Sequence, residues 1–490
     1  MSSQAPPTTR AVNPLVVLVI VCFAQFMVVL DATVVNVALP SIQQDLGFAA
    51  GDLAWVINAY TLLFGGFLLL GGRAADLFGR RRLFVAGVTL FTVSSLLDGL
   101  ATSPGQLIAF RALQGLGGAL VSPAALAIVT TTFPEGPERT RALGVWGAIA
   151  GGGAAVGLIL GGVLVEALSW EWVFFVNVPV GVAVALVALR LIPESRDEHA
   201  GGFDLLGAAT VTGGLVALVY AVVEAGEQGW GSGTTLGFGA LALVLLAAFV
   251  LIERRHAQPL VRLGILRVRS LLASNLVMLL AIAGMFAMFY FATIYLQEVL
   301  GYEPLKSGLA FLPFTVGIVG GSVAAQALIR TLGIRATIIG GLLLAAVGLL
   351  LMTRISVGGD YLGEVLPAMA LLAAGMGTVF VPVTVMATGG IDGDDQGLAS
   401  GLINTSQQFG GAIGLAVLST LAASRTEDRL ADFGSAPTRL DGFDALVSGY
   451  HLAFLVGAAL MLVAAALTAL LVRRSHVASI DPDQVVAVAA

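Results

Sequence analysis

Two charged side chains sit deep inside long apolar runs of this 490-residue chain: Asp31 in Leu30-Asp-Ala-Thr-Val-Val-Asn-Val-Ala-Leu-Pro40, and Arg111 in Phe110-Arg-Ala-Leu-Gln-Gly115. A carboxylate in hydrocarbon costs on the order of 3 kcal/mol on insertion scales, so it faces a bundle interior or a water-filled path and marks an ion or proton route. At 1.5 Å rise per residue, Asp31 lies ~14 Å from the end of its run at Pro40 and Arg111 ~10 Å from Pro104. The runs cross in opposite directions, so the two charges can meet at similar depth, directly or through Gln114, Asn36 or water. The chemistry this offers is reversible protonation. Burial favours a neutral carboxyl and a nearby guanidinium favours the ionised one, so a separation that changes between two states changes proton affinity. A permanent ion pair that only holds helices together would use the same residues.

The elements that must carry these charges are membrane spans. Of all residues 58% are hydrophobic and 11% charged, against about 25% charged in a soluble domain. Apolar stretches of the ~20 residues that a helix needs to cross a bilayer recur along the chain and leave no room for a soluble catalytic domain. Fourteen can be placed, at roughly 14–38, 52–72, 83–101, 105–132, 141–166, 172–192, 204–224, 235–252, 271–298, 307–330, 335–353, 362–389, 398–423 and 447–472. The first run, longer than a signal peptide's apolar core and without an evident cleavage site, reads as an uncleaved span.

With both termini placed in the cytoplasm, 18 of the 24 basic residues fall in cytoplasmic segments and 5 outside, Arg111 being the one in the membrane. That bias is the positive-inside pattern. The expected architecture is an all-α polytopic membrane protein in a 6+2+6 arrangement. Residues 1–192 form an N-terminal six-helix bundle, 193–269 a linker with two additional spans, 270–475 a C-terminal six-helix bundle and 476–490 a cytoplasmic tail. The region Ser424–Ser448 reads as a polar external connector. One cysteine, Cys22, excludes an intramolecular disulfide, and four scattered histidines carry no metal-ligand spacing.

Between the second and third spans lies Gly71-Gly-Arg-Ala-Ala-Asp-Leu-Phe-Gly-Arg-Arg-Arg82, a basic turn with an acid held between glycines. Gly72, Asp76, Gly79, Arg80 and Arg81 resemble the signature loop of the major facilitator superfamily, with Leu77 where an arginine is common. Arg111-Ala-Leu-Gln-Gly115 is similar to that superfamily's Arg-x-x-Gln-Gly pattern. Gly153, Gly157, Gly161 and Gly162 resemble the antiporter motif of drug exporters, although Leu158 stands where a proline is expected. The Asp31 to Pro40 run and Trp170-Glu-Trp-Val-Phe-Phe-Val-Asn-Val-Pro-Val-Gly181, with Glu171 in place of an arginine, complete the likeness. Together with fourteen spans they resemble the 14-span drug:proton antiporter family, the EmrB/QacA group, over essentially the whole chain.

That resemblance implies the major facilitator fold and export of amphiphilic drugs or antibiotics, driven by protons through Asp31 and Arg111. It also implies a conformational latch at the signature loop. No enzyme activity and no cofactor are expected, the proton gradient being the energy source. The glycine-rich run from Gly147 to Gly157 lacks the strand and the Gly-Lys-Ser/Thr of a phosphate loop. Asp31 is expected to be the only acid far from either face, with Asp98, Glu166, Glu224 and Glu298 near outer ends; a second coupling acid, if one exists, would be sought first at Glu224 or Glu298.

The expected cavity residues are the amides Asn36, Asn58, Gln114, Asn404 and Gln408, with Asn275 as a further intramembrane amide, and the aromatics Phe286, Phe289 and Tyr295. Each could equally serve packing between helices. The partners are a small amphiphilic substrate, protons and the lipid bilayer, without nucleic acid. The chain is expected to act as a monomer in a bacterial cytoplasmic membrane, any adaptor being left open. Export of an endogenous lipid or secondary metabolite, and a non-transporting sensor or channel, are the alternative readings.

Overall fold

In hydrocarbon every backbone amide must find its partner within the chain, and a helix meets that condition locally. The computed structural model describes residues 13–49, 52–133, 137–196, 204–256, 259–388, 396–433 and 438–472. Its helices are α1 (Pro14–Leu46), α2 (Trp55–Phe78), α3 (Arg80–Asp98), α4 (Pro104–Thr132), α5 (Pro137–Ala167), α6 (Trp172–Phe175), α7 (Asn177–Leu191), α8 (Leu205–Gln228), α9 (Gly233–Arg255), α10 (Arg269–Ile294), α11 (Pro304–Ala310), α12 (Leu312–Leu332), α13 (Ile334–Met352), α14 (Leu366–Thr388), α15 (Gln396–Asp432) and α16 (Arg439–Leu471). The short α6 and α11 run into α7 and α12, so fourteen long helical units stand among the described residues, as the apolar stretches predict. Eleven of them are long and apolar enough to cross a membrane by composition alone. The other three, α3, α5 and α15, carry charged ends.

Local signals set the ends. Asn13 accepts from the Leu15 amide ahead of Pro14, and α1 stops at Gly47, whose φ of 71° suits glycine. It runs through Pro40, beyond the expected end of the first span. Between α2 and α3 only Gly79 intervenes, at φ 108°. Contrary to the reading of Ser424–Ser448 as a connector, α15 continues to Asp432 and α16 begins at Arg439. There Thr438 and Asp441 form a capping box, and Arg429 bonds Asp444 at 3.0 Å across the two helices. The polar composition belongs to helix ends projecting beyond the apolar zone. The termini, including the tail from 476 to 490, lie outside the described residues.

Helices α1 to α7 pack on one another, α2 and α3 against α4 and α1 against α5, around a core that includes Phe84, Phe91 and Val121. Helices α10 to α16 do likewise, with α13 and α12 against α14 and α10 against α15. The two sets meet where α2 packs on α15 and α5 on α11. Near the connection between α1 and α2, Gln297 Nε2 donates to the Val37 carbonyl at 2.9 Å, and the Leu305 amide donates to Glu166 at 3.2 Å. The two sets are therefore closed on each other at that end. Helix α8 touches both α2 and α15, whereas α9 packs on α8 and leaves Leu236, Leu243 and Val244 exposed, as a lipid-facing helix would.

Candidate functional site: a buried ion pair among five helices

Arg111 is held deep in α4 by what its neighbours lack. A Cβ on Gly117 would lie 2.6 Å from the Phe91 amide nitrogen, one on Gly118 2.8 Å from the Phe64 ring, and one on Gly115 would run into the Tyr60 backbone. These glycines let α2 and α3 approach α4 closely enough for the guanidinium to reach across. Arg111 Nε donates to the Val56 carbonyl at 3.0 Å, and Nη1 donates to Asp31 Oδ2 at 2.6 Å and to Gln114 Oε1. The Tyr60 ring lies 4.4 Å from the guanidinium carbon, within cation–π range.

Asp31 is fully buried and Arg111 is 1% exposed. Oδ1 of Asp31 accepts from Gln114 Nε2 at 2.8 Å and from Asn177 Nδ2 at 3.0 Å. The same Asn177 nitrogen donates to Ser95 Oγ at 3.1 Å, and that hydroxyl donates to the Phe174 carbonyl at 2.8 Å. Side chains of α4 and α7 thus converge on the carboxyl of α1, with Ser95 of α3 behind Asn177 and α2 supplying Val56 and Tyr60. Every bond to Asp31 comes from a donor, which is the pattern of an acceptor-only carboxylate. Breaking one partner of such a buried pair costs about 3–5 kcal/mol, since the other charge is left without compensation. A proton on Asp31 is one way to separate the two without that penalty.

Sequence reasoning brought Asp31, Arg111 and Gln114 together and the structure joins them directly. Asn36 is not in the network: its Nδ2 bonds back to the Ala32 and Thr33 carbonyls of its own helix. Asn177 and Ser95 were missed as site residues. An amide or hydroxyl has no desolvation cost large enough to make it stand out in a sequence, and only Asn177's place in the Trp170–Gly181 run hinted at it. Asp98 lies at the end of α3, where the sequence places it, yet it is fully buried and neither carboxyl oxygen has a hydrogen-bond partner, the Phe175 ring of α6 packing beside it on Gly99.

In the signature loop, Asp76 accepts from Arg80 Nη2 at 2.8 Å. The loop closes on the segment after α7: the Arg81 amide donates to Glu194 at 3.1 Å, Arg81 Nη1 to the Ile192 carbonyl at 3.2 Å, and the Arg80 amide to the Ser195 carbonyl at 2.9 Å. A Cβ on Gly79 would lie 2.8 Å from the Glu194 carboxyl carbon, and one on Gly72 would meet Pro123 at 3.5 Å. Glu194, unremarked in the sequence, is the loop's acidic partner. In α5, Gly153 faces Val29 and Phe26, Gly157 faces Thr33 and Leu30, and Gly161 faces Val34, so three glycines four residues apart seat the helix on the Asp31 segment of α1. Gly162 faces a different side, onto Leu305 and Pro304 at the start of α11.

The expected cavity residues separate. Met285, Phe286 and Phe289 share a partly exposed face of α10, Phe286 against Gly411 and Phe289 against Phe311 and Phe314. Gln408 is half-buried and Asn404 exposed on α15. Asn58 is fully buried with both side-chain polar atoms unpartnered. Tyr295 does not line a cavity: it is 1% exposed and its hydroxyl donates to the Ser356 carbonyl at 2.8 Å. Nine residues beyond Phe286, at about 100° per residue, it lies on the opposite side of the helix from that face. Asn275 accepts from Ser406 at 2.7 Å, an amide used between helices.

Known proteins place this arrangement. The chain is 45% identical over 460 residues to the puromycin resistance protein pur8 of Streptomyces alboniger, covering 93% of this chain and 90% of that one. It is 42% identical over 438 residues to the cephamycin export protein CmcT of Amycolatopsis lactamdurans, covering 89% and 90%. The tetracenomycin C resistance and export protein of Streptomyces glaucescens is 34% identical over 518 residues, covering 98% and 95%. Among solved structures, a bacterial homologue of the human lysosomal transporter Spinster superposes with a TM-score of 0.66 at 15% identity, over 95% of this chain and 97% of that one. A peptide transporter, POT, gives 0.66 at 16% identity, over 93% and 95%; both likenesses speak to the fold. The pattern of the Major Facilitator Superfamily matches residues 21–415, and the chain belongs to that superfamily.

Proposed function

We propose that this chain is a proton-coupled antiporter that exports amphiphilic drugs or antibiotics across a bacterial cytoplasmic membrane by alternating access. The observation that carries the reading is the Asp31–Arg111 pair, out of contact with solvent and held by donors from α4 and α7. A buried pair of this cost acquires a use if a proton taken from outside releases Asp31 from Arg111 and its loss inside restores the bond. Residues 1–192 and 270–475 are the two moving bundles, and 193–269 carries the inserted pair of helices. The α1–α2 end faces outward, so the conformation described above is closed to the outside; both termini are cytoplasmic, and the monomer is the working unit in the bilayer.

Substrate class follows the names of the relatives, which are resistance and export proteins for antibiotics, and the partly exposed Met285, Phe286 and Phe289 face, which offers adaptable apolar surface. With one proton exchanged for one monovalent cation, a pH gradient drives export at ~1.4 kcal/mol per unit. The test is puromycin uptake into inverted vesicles under an imposed pH gradient. Asp31→Asn is expected to abolish accumulation against a gradient while exchange of internal for external puromycin continues. Concentrative uptake by the variant at the wild-type rate defeats the proposal.

A second reading is export of the producing cell's own antibiotic or another secondary metabolite, favoured by the relatives named as export proteins. Deletion would then change the metabolites in the medium and leave sensitivity to unrelated drugs unaltered.

A further inference from the structure

Asp98 is the last residue of α3, fully buried, and neither of its carboxyl oxygens has a hydrogen-bond partner. Three features act against a negative charge there. Water is excluded, no donor replaces it, and the carboxyl stands at a helix C-terminus, where the backbone carbonyls already present negative ends. A neutral carboxylic acid avoids all three.

Its position relative to the ion pair is specific. Ser95, one turn earlier on α3, is bonded to Asn177, which is bonded to Asp31, so Asp98 lies one turn further toward the outer end than the network that holds the carboxylate. The Phe175 ring packs on Gly99 beside it. The charged and titratable groups on the helices packed against α3 are Tyr60, Arg73 and Asp76 on α2, Arg111 on α4, Arg190 on α7, and Glu171 immediately ahead of α6. Those whose fields reach Asp98 are Arg111 and, from α1, Asp31. One guanidinium therefore acts on two carboxyls. One is fully bonded, and the other has nothing bonded to it.

We propose that Asp98 is a second proton-carrying acid of the transport cycle, which takes up the proton arriving from outside and passes it to Asp31 as Arg111 exchanges one carboxylate for the other. This rests on the antiport reading and deepens it. In the transfer the O–H bond at Asp98 breaks and one forms at Asp31; the negative charge passes to Asp98 and Arg111 follows it. Before and after, the three groups carry one positive charge, one negative charge and one neutral acid. The number of buried charges does not change, which is what makes the exchange feasible in a medium of low dielectric constant. Reloading from outside requires the conformation open at the α1–α2 end, since Asp98 is sealed in this one. A purely packing role would need only the size and polarity of the side chain, which asparagine supplies.

The experiment compares wild type, Asp98→Asn and Asp98→Glu in inverted vesicles, with puromycin as the probe. It reads uptake driven by a pH gradient, its dependence on the pH of the compartment facing the outer end, and counterflow exchange without a gradient. The Asn variant is expected to lose driven uptake by at least about tenfold, within the range that a positioned proton carrier contributes, and to lose its dependence on that pH. Its counterflow should stay within about twofold of wild type, while the Glu variant recovers driven uptake. Driven uptake by Asp98→Asn at the wild-type rate with an unchanged pH profile overturns the proposal. So does loss of counterflow together with driven uptake, which makes Asp98 a packing residue. Failure of wild type itself to respond to the pH gradient refutes the antiport reading, a result distinct from either.

Discussion

Gly162 offers the most direct test that the closed contact between α5 and α11 is one state of a moving machine. A Cβ at this position would lie 2.5 Å from Leu305 Cα, 2.8 Å from the Pro304 carbonyl oxygen and 3.0 Å from the Leu305 amide nitrogen. All three are backbone atoms, so no side-chain rotation relieves the clash. Ordinary contact begins near 3.4 Å, and α5 and α11 must part by about 1 Å locally. Overpacking of this kind costs about 1–3 kcal/mol. The penalty falls on the conformation closed at the α1–α2 end and is absent when that end opens, so Gly162→Ala should shift the equilibrium toward the open form by between about fivefold and about 150-fold.

The reporter is a cysteine at Asn36, whose side chain bonds only to its own helix and which adjoins the Val37 carbonyl held by Gln297 across the closure. In a Cys22→Ala background, an impermeant maleimide added outside intact cells should label Asn36→Cys faster by a factor in that range when Gly162→Ala is present. Gly308→Ala, which would press on the Leu158 carbonyl from the opposite side of the same contact, should act in the same direction. Labelling unchanged within about twofold, with normal transport, would refute the argument that this contact opens.

Three further outcomes follow from the geometry. Glu194→Gln removes the charge that Arg81 and Arg82 approach at 3.6 and 3.7 Å; each surface pair is worth at most about 1 kcal/mol, so stability measured by thermal unfolding should change little while the rate of drug efflux falls. Tyr295→Phe loses one hydrogen bond to Ser356, about 1 kcal/mol, and should leave the range of exported drugs as it was, whereas Phe286→Ala should alter that range in resistance assays. Gly79→Ala imposes a side chain at φ 108° and against Glu194, a strain of order 1–3 kcal/mol that should appear as a lowered melting temperature of the purified protein.

The parts of this site that were legible in the sequence are those with a large free-energy signature. An acid in an apolar run and an arginine in another are costly enough to require each other, and counting residues from Pro40 and Pro104 was sufficient to bring them to one depth. Glycines spaced four apart in α5 likewise announce a close helix contact, although which helix they meet is a matter of topology. Asn177 and Ser95 could not be read in the same way, since intramembrane amides and hydroxyls are as often used to join helices, as Asn275 and Ser406 are here. The burial of Asp98 was not legible, because distance from a helix end measures depth along the axis and says nothing of the Phe175 ring that packs beside it. Tyr295 is an aromatic like Phe286 and Phe289, but residue type does not say which side of a helix is used, and at about 100° per residue Tyr295 falls half a turn round from Phe286.

Helix α5 joins the two ends of the mechanism in one element. Its Gly153, Gly157 and Gly161 face α1 along Val29, Leu30, Thr33 and Val34, the turns on either side of Asp31. Gly162, one residue further and about 100° round the helix, faces α11 of the other set. A side chain at any of the first three positions would push on the segment that carries the acid, and one at Gly162 would push on the closure. A rigid helix packed this closely on both surfaces cannot tilt away from α11 and leave α1 where it was; one contact must slide or both must move together. This is a physical route by which separation at the α1–α2 end alters the approach of Asp31 to Arg111, and it accounts for glycine at all four positions without requiring a kink at Leu158. What the four glycines provide is the closeness of two helix contacts on one rigid element.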